Sequence, residues 1–287
     1  MNRLFVDNLT VIDFAYLDPT RGLVGESWIV DVELSGELDD QGMVFDFGLV
    51  KRTIKQLIDD QADHRLLVPQ DYTGLEWQES GNEVRLTWRK KDGGLIEHSS
   101  PQNSLLPTPG DTLSTDTLAR HLEVCLRAVL PDNVAGVSIR LREEQIEGPY
   151  YHYVHGLKKH DGNCQRIAHG HRSRLLIERD GSRAPELERM WAERWQDIYI
   201  ATEEDLVDSF EQAGRRYHRF AYEANQGRFS LTLPEETVYL IPTDSTVEWI
   251  AVHLLQQCQS AEPDAALTIK AFEGVGKGAI AATRQQS

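Results

Sequence analysis

The chain repeats its own plan, and this constrains its fold more than any other feature. Strand-like segments at 4–16 and 27–36 open the first half, and strand-like segments at 150–157 and 169–179 open the second. Toward the end of each half the same order returns. Ser114-Thr115-Asp116, with Leu118-Ala119, starts a helix before a closing strand at 136–142. Ser245-Thr246-Val247-Glu248, with Ile250-Ala251, starts another before a strand at 267–272. Each start reads Ser-Thr, then an acidic residue, then Leu or Ile before Ala, which is also a general helix-opening pattern. The boundary falls at 145–149, dividing the chain into units 1–145 and 149–287. So short a connection predicts that the units pack on each other.

Between these landmarks, Trp28-Ile29-Val30-Asp31-Val32-Glu33-Leu34 alternates with period two, as a half-buried strand does. Phe47, Val50, Ile54 and Leu57 follow helical spacing behind Asp46 as N-cap, predicting a helix over 46–60. Strands are expected at 74–78, 83–89 and 95–98, with Lys91-Asp92-Gly93-Gly94 as a turn, and a second helix at 115–129. In the second unit, Leu206, Phe210, Ala213 and Tyr217 form one stripe and predict a helix over 203–223. A hairpin is expected from 229–233 and 237–240, and a helix over 246–257. The tail 281–287 is expected to be loose. The fold class is therefore α+β.

Five of the ten histidines (His152, His155, His160, His169 and His171) fall in one short region, with Cys164 among them. His169-Gly170-His171 on a strand turns both imidazoles to one face. His155 on the neighbouring strand completes three nitrogens. Zinc held by three protein ligands keeps a fourth position for water or substrate, which is the catalytic pattern. His152 and His160 stand outside this trio. Cys164 lies in the polar stretch Asp161-Gly162-Asn163, suited to a general base or nucleophile. The formal charge of −16 argues against nucleic acid or an anionic membrane as partner. Residues 151–180 oppose that trend, with six Lys and Arg against three Asp and Glu, and suit a small anionic substrate. The three cysteines Cys125, Cys164 and Cys258 are odd in number and far apart, so no disulfide framework is expected. Residues 1–10 lack a signal-peptide core and no apolar run approaches about 18 residues, so a cytoplasmic protein is expected.

The order His155, Cys164, His169-Gly170-His171 resembles the 6-pyruvoyl-tetrahydropterin synthase family, which includes the 6-carboxytetrahydropterin synthases of queuosine biosynthesis. Tyr151-His152-Tyr153-Val154-His155-Gly156-Leu157 is similar to that family's first zinc-ligand strand. Gly42-Met43-Val44-Phe45-Asp46-Phe47 and Asp63-His64-Arg65-Leu66-Leu67 are similar to two further motifs, and Thr268-Ile269-Lys270-Ala271-Phe272-Glu273-Gly274 to its closing strand. The resemblance implies two tandem tunnelling-fold (T-fold) halves. Each would be an antiparallel sheet of about four strands with two helices on one face, and a homo-oligomer would close the sheets into barrels. It implies Zn2+ on His155, His169 and His171, with Cys164, Asp63 and His64 as the catalytic triad. Glu273 would anchor the pterin. Thr246 and Ser245 would add hydrogen bonds to it, their competing use being helix capping.

The implied reaction converts 7,8-dihydroneopterin triphosphate to 6-carboxytetrahydropterin or 6-pyruvoyltetrahydropterin with loss of triphosphate. The halves depart from the family in complementary ways. Tyr16 and Val24-Gly25-Glu26 stand in the ligand slots of the first, and the segment 180–199, with Trp191 and Trp195, replaces the Asp-His motif in the second. Gly274-Val275-Gly276-Lys277-Gly278 lacks nucleotide-loop spacing, though Lys277 could touch a triphosphate. The same residues also fit a non-catalytic zinc- and pterin-binding scaffold, a pterin aldolase or hydrolase of folate synthesis, or a generic zinc hydrolase.

Overall fold

The computed structural model describes residues 2–283. The first part runs β1 (Asn2–Asp18), β2 (Gly22–Gly36), α1 (Phe47–Leu49), a π-helical turn (Val50–Ile54) and α2 (Lys55–Ala62). Then come β3 (Leu66–Pro69), β4 (Leu75–Ser80), β5 (Glu83–Arg89), β6 (Leu95–Pro101), β7 (Leu105–Thr108), α3 (Thr115–Arg127) and β8 (Val134–Glu143). The second part runs β9 (Tyr150–His155), β10 (His169–Arg179), β11 (Ser182–Arg183), α4 (Pro185–Arg194) and β12 (Ile198–Thr202). It continues with β13 (Leu206–Gln212), β14 (Arg215–Ala224), β15 (Gly227–Pro234), β16 (Val238–Ile241), α5 (Val247–Ala261), β17 (Leu267–Phe272) and β18 (Gly278–Ala282).

The strand orders show a duplicated topology. One sheet is β7-β3-β1-β2-β8, and another is β16-β12-β9-β10-β17-β18 with β11 beside β10. Read in chain order, β1, β2, β3, β7 and β8 correspond to β9, β10, β12, β16 and β17. Both sheets are antiparallel at the centre and parallel on one flank, at β1–β3–β7 and β9–β12–β16. The third sheet, β13-β14-β15-β6-β5-β4, takes three strands from each part and joins them where β15 meets β6. Its order reads the same from both ends, as a pseudo-twofold relation requires.

Apolar residues partition into three cores. Ile12, Phe14 and Trp28 pack with Ile54, Ile58, Leu118 and Leu122 beneath the first sheet. Tyr151, Leu175 and Ile177 pack with Trp191, Trp195, Ile250 and Leu254 beneath the second. The third core mixes both parts, with Leu17, Val68 and Trp88 against Val154, Tyr199, Phe220 and Leu231. Burying each such side chain contributes about 1.5–3 kcal/mol, so this mixed core opposes separation of the parts. The expected helix caps form. Asp46 accepts from Leu49 N–H, Ser114 from Thr117 N–H and Thr246 from Trp249 N–H.

The two central ribbons cross at a pair of glycines. A Cβ on Gly25 would stand 1.9 Å from the Tyr153 carbonyl oxygen and 2.6 Å from the His171 nitrogen. A Cβ on Gly170 would stand 2.4 Å from the Tyr153 oxygen and 2.7 Å from Gly25 Cα. Backbone meets backbone here, and no larger residue fits without moving a strand.

The structure corrects several expectations. Residues 203–223 are not helical. They form the hairpin β13–β14, which turns at Ala213 and Gly214, both with positive φ (51° and 76°). Phe210 and Tyr217, expected on one helical stripe, stack across the strands at 5.7 Å. The hairpin expected from 229–233 and 237–240 does not form. β15 pairs with β14 and β6, while a turn at Glu235–Thr237 sends β16 to a parallel pairing with β12. The segment 180–199 holds α4, the counterpart of α2, opened by Pro185 at its first turn. Ala281 and Ala282 lie in β18, whereas 284–287 lie outside the described residues. No helix among the described residues is long and apolar enough to cross a membrane.

His98, buried in the third sheet with Nε2 3.0 Å from Ser100 Oγ, is held neutral by burial, its pKa pushed down to about 3. The unfolded chain therefore binds a proton that the folded chain refuses. This contribution to stability is complete above about pH 6.5 and is lost as pH falls toward 3. Between pH 7 and 5 it amounts to about 2 kcal/mol. Urea unfolding at both pH values should show a pH dependence smaller by about that amount in His98→Asn. An unchanged pH dependence would remove this assignment.

Candidate active site

The β9–β10 ladder pairs His155 with His169 and Tyr153 with His171, so strand alternation turns the three imidazoles to one face. All three are at most 1% exposed, and a nitrogen from each lies within 4.8 Å of the others. Their Nδ1 atoms point away from the common centre. His155 Nδ1 is 2.8 Å from the Ser245 carbonyl oxygen, and His169 Nδ1 is 2.9 Å from that of Arg166. His171 Nδ1 is 3.2 Å from Asp13 Oδ1. Nε2 atoms are thereby left facing inward, those of His155 and His171 at 3.2 Å. Tetrahedral ligands about 2.0–2.1 Å from a zinc ion stand roughly 3.3 Å apart, so the spacing suits a divalent ion. Burial, reinforced by the neighbouring rings, pushes His155 and His169 well below the ordinary imidazole range. Both are therefore in the neutral form that ligates.

Cys164 sits half-buried in a short helical turn, Asn163–Gln165, and its carbonyl accepts from Leu157 N–H at 2.9 Å. Asp63 and His64 come from the end of α2 in the other part of the chain. His64 adopts a left-handed backbone (φ 54°) and donates its N–H to the Asp13 carbonyl at 2.6 Å. This turns its ring toward Cys164 and His169, with the three ligand atoms within 4.8 Å of one another. The His64 ring lies 4.9 Å from that of His169 between centroids. Asp63 Oδ2 meets His64 Nδ1 at 2.6 Å, while Asp63 Oδ1 accepts from Asp13 N–H at 2.8 Å. Burial works to lower the pKa of His64, but Asp63 and then Cys164 outweigh it and raise the ring to about 10.

Glu273 closes the rim, its Oε1 4.0 Å from His171 Nε2. Lys277 reaches Asp13 at 3.1 Å and Glu273 at 3.9 Å. Ser245 is fully buried, its Oγ 3.3 Å from His155 Nδ1. The Thr246 hydroxyl caps α5. His152 is drawn away from the centre, with Nδ1 2.7 Å from the Gly25 carbonyl oxygen.

Several residues here escaped the sequence reading. Asp13 and Ser27 are buried between the sheets, Ser27 donating to Asp13 at 2.5 Å. Arg166 donates to the His64 carbonyl at 3.3 Å and so ties the two parts at the site. Asp13 had a signal, as a lone carboxylate in the apolar run Val11-Ile12-Asp13-Phe14-Ala15.

By register, Tyr16, Val24 and Glu26 occupy in β1–β2 the places that His155, His169 and His171 occupy in β9–β10. That mirror position offers no imidazole trio. Arg21 fills it with a bidentate pair to Asp197 at 2.9 and 2.5 Å, and donates to Tyr16 Oη at 3.0 Å. Burial raises Glu26 to about 8. A wide hollow of about 730 Å³ lies elsewhere, over the third sheet, and is lined by Arg85, Arg219 and Arg228 among carboxylates. It contains none of the residues of the His155–His169–His171 site or of the Asp63–His64–Cys164 group.

The family described as 6-pyruvoyl tetrahydropterin synthase matches residues 13–151, a stretch that includes Asp63 and His64 and ends before His155. A Methanocaldococcus jannaschii protein with the provisional name 6-carboxy-5,6,7,8-tetrahydropterin synthase is 32% identical over 139 residues, 46% of this chain and 82% of that protein. A Pyrococcus horikoshii protein with the same provisional name is 32% identical over 66 residues, and the match spans only 39% of that relative's length. A solved 6-pyruvoyl tetrahydropterin synthase from Plasmodium vivax aligns with 49% of this chain and 97% of its own, at 20% identity and a TM-score of 0.37. One from Plasmodium falciparum aligns over the same shares at 18% identity and a TM-score of 0.37.

Proposed function

Since this chain belongs to the 6-pyruvoyl tetrahydropterin synthase family, we propose that it is a zinc-dependent lyase. Its substrates are 7,8-dihydroneopterin triphosphate and one water, and its product is 6-carboxytetrahydropterin, with acetaldehyde and triphosphate released. The observation that carries this reading is the inward convergence of three buried imidazoles beside the Asp63–His64–Cys164 group. The provisional names of the archaeal relatives favour the carboxylated product over 6-pyruvoyltetrahydropterin.

His155, His169 and His171 would hold the metal, which when bound supplies Lewis acidity toward the substrate's side-chain hydroxyls. Cys164 takes a proton from that side chain, and His64, kept in its charged form by Asp63, stands against the sulfur and passes on a proton from its own ring. Glu273 offers two coplanar acceptors to the amino-pyrimidinone edge of the pterin. Ser245 supports the site through His155, and Thr246 through the cap that orients the start of α5. Lys277 and Arg166 supply positive charge for the leaving triphosphate in an otherwise acidic chain. The reading extends to a cytoplasmic homo-oligomer acting in queuosine biosynthesis. The open outer edges of β8 and β18 favour assembly, because long unpaired edges invite pairing.

Metal analysis of the purified protein, together with incubation on 7,8-dihydroneopterin triphosphate, tests the proposal. About one zinc per chain and release of acetaldehyde are expected, both lost after chelation. Protein that carries zinc yet leaves the triphosphate intact would favour a non-catalytic binding role. Protein that binds no divalent ion would end the reading.

A further inference from the structure

We propose that Asp13 is the positioning residue for metal ligand His171, supplied across the interface by the part of the chain that holds no ligand of its own. This rests on the metal reading above and deepens it. His155 and His169 are each oriented by a backbone carbonyl of the second part. His171 is placed differently, for its Nδ1 stands 3.2 Å from a carboxylate of β1 and makes no hydrogen bond of regular geometry with any described residue. Asp13 is 2% exposed and is itself fixed. Ser27 Oγ donates to Oδ1, and Lys277 Nζ stands 3.1 Å from Oδ2. Gly274 makes room for it, since a Cβ there would lie 2.3 Å from Asp13 Oδ1.

The pseudo-twofold relation shows that this pairing belongs to the architecture. In register, Asp13 matches His152 and His171 matches Glu26. The mirror contact is present, His152 Nδ1 standing 3.8 Å from Glu26 Oε2. Acid and imidazole have exchanged strands between the two places. Only at Asp13–His171 does the imidazole lie on the face of the β9–β10 ladder that carries the other two rings, with its Nε2 turned toward that of His155. A carboxylate behind a ligating imidazole fixes the Nδ1–H tautomer and strengthens donation from Nε2. It also places a buried negative charge behind one of the three rings, on the side opposite the Glu273 carboxylate that stands 4.0 Å from His171 Nε2.

Zinc affinity measured by competition with a chromophoric chelator tests this. Asp13→Asn should bind zinc about 10–100-fold more weakly than the unaltered chain, with the thermal midpoint of the metal-free protein retained. In the zinc-loaded unaltered chain, nitrogen NMR of His171 should show a proton on Nδ1 and the metal on Nε2, a signature that a purely packing role for Asp13 would not require. Zinc affinity within about twofold of the unaltered chain in a folded Asp13→Asn variant would overturn the inference, judged against the effect expected of such a partner. Should that variant fail to fold, metal on Nδ1 of His171 in the unaltered chain would overturn it equally. An unaltered chain that binds no zinc would sink the metal reading and this inference together.

Discussion

Cys164→Ala should lower turnover by about 10²–10⁴-fold, the range lost when a positioned proton-transfer group is removed. Zinc content should stay unchanged, because the sulfur is not one of the three converging nitrogens. The structure makes this a real choice. His169 belongs to two overlapping groups, one with His155 and His171 and one with His64 and Cys164. An ion in the second group would be lost with the sulfur, and metal analysis of the variant separates the two cases. His64→Gln should fall in the same range, and the double variant should be little worse than either single one, since the residues act as one unit. Unimpaired turnover in Cys164→Ala would remove the cysteine from the chemistry.

Gly25→Ala should destabilise the fold by about 3 kcal/mol, the upper range for forcing atoms into a packed interior. The reason is geometric. The new methyl would stand 1.9 Å from the Tyr153 carbonyl oxygen, and neither crossing strand has a flexible side chain to give way. The same displacement would draw Ser27 and Asp13 away from β10, so zinc affinity should fall together with the denaturant midpoint. Gly81→Ala is the control, a glycine with positive φ (62°) and nothing within 4 Å of the added atom. It should cost about 1 kcal/mol for backbone strain alone. A Gly25→Ala midpoint indistinguishable from the control would mean that the ribbons can part without penalty.

What could be read in advance follows from the range of each interaction. The strands β1, β2, β9 and β10 were legible because alternation is local, and three helix starts because a cap is local. The family and the α+β class were legible from the motifs around Asp63, His155 and His169. The hairpin over 206–224 was not, because Leu206, Phe210, Ala213 and Tyr217 satisfy helical spacing and only the Ala213-Gly214 turn argues otherwise. The partners of β15 and β16 were not, because adjacency in sequence suggested a hairpin while the third sheet offered β15 better pairing with β6. Asp13, Ser27 and Gly25 matter only through a crossing of two ribbons more than a hundred residues apart, and nothing near them in the chain announces that crossing. The mirror position occupied by Arg21 and Asp197 was foreseen only as a lack of ligands, not as an ion pair.

Drawing Asp63 and His64 from one part of a single chain and Cys164 and the imidazoles from the other has a kinetic consequence. Their encounter is unimolecular, so the local concentration of each group about the others is set by covalent connection and by the mixed core, whatever the amount of protein in solution. A cluster built between separate subunits thins out on dilution; these side chains stay together in every copy of the polypeptide.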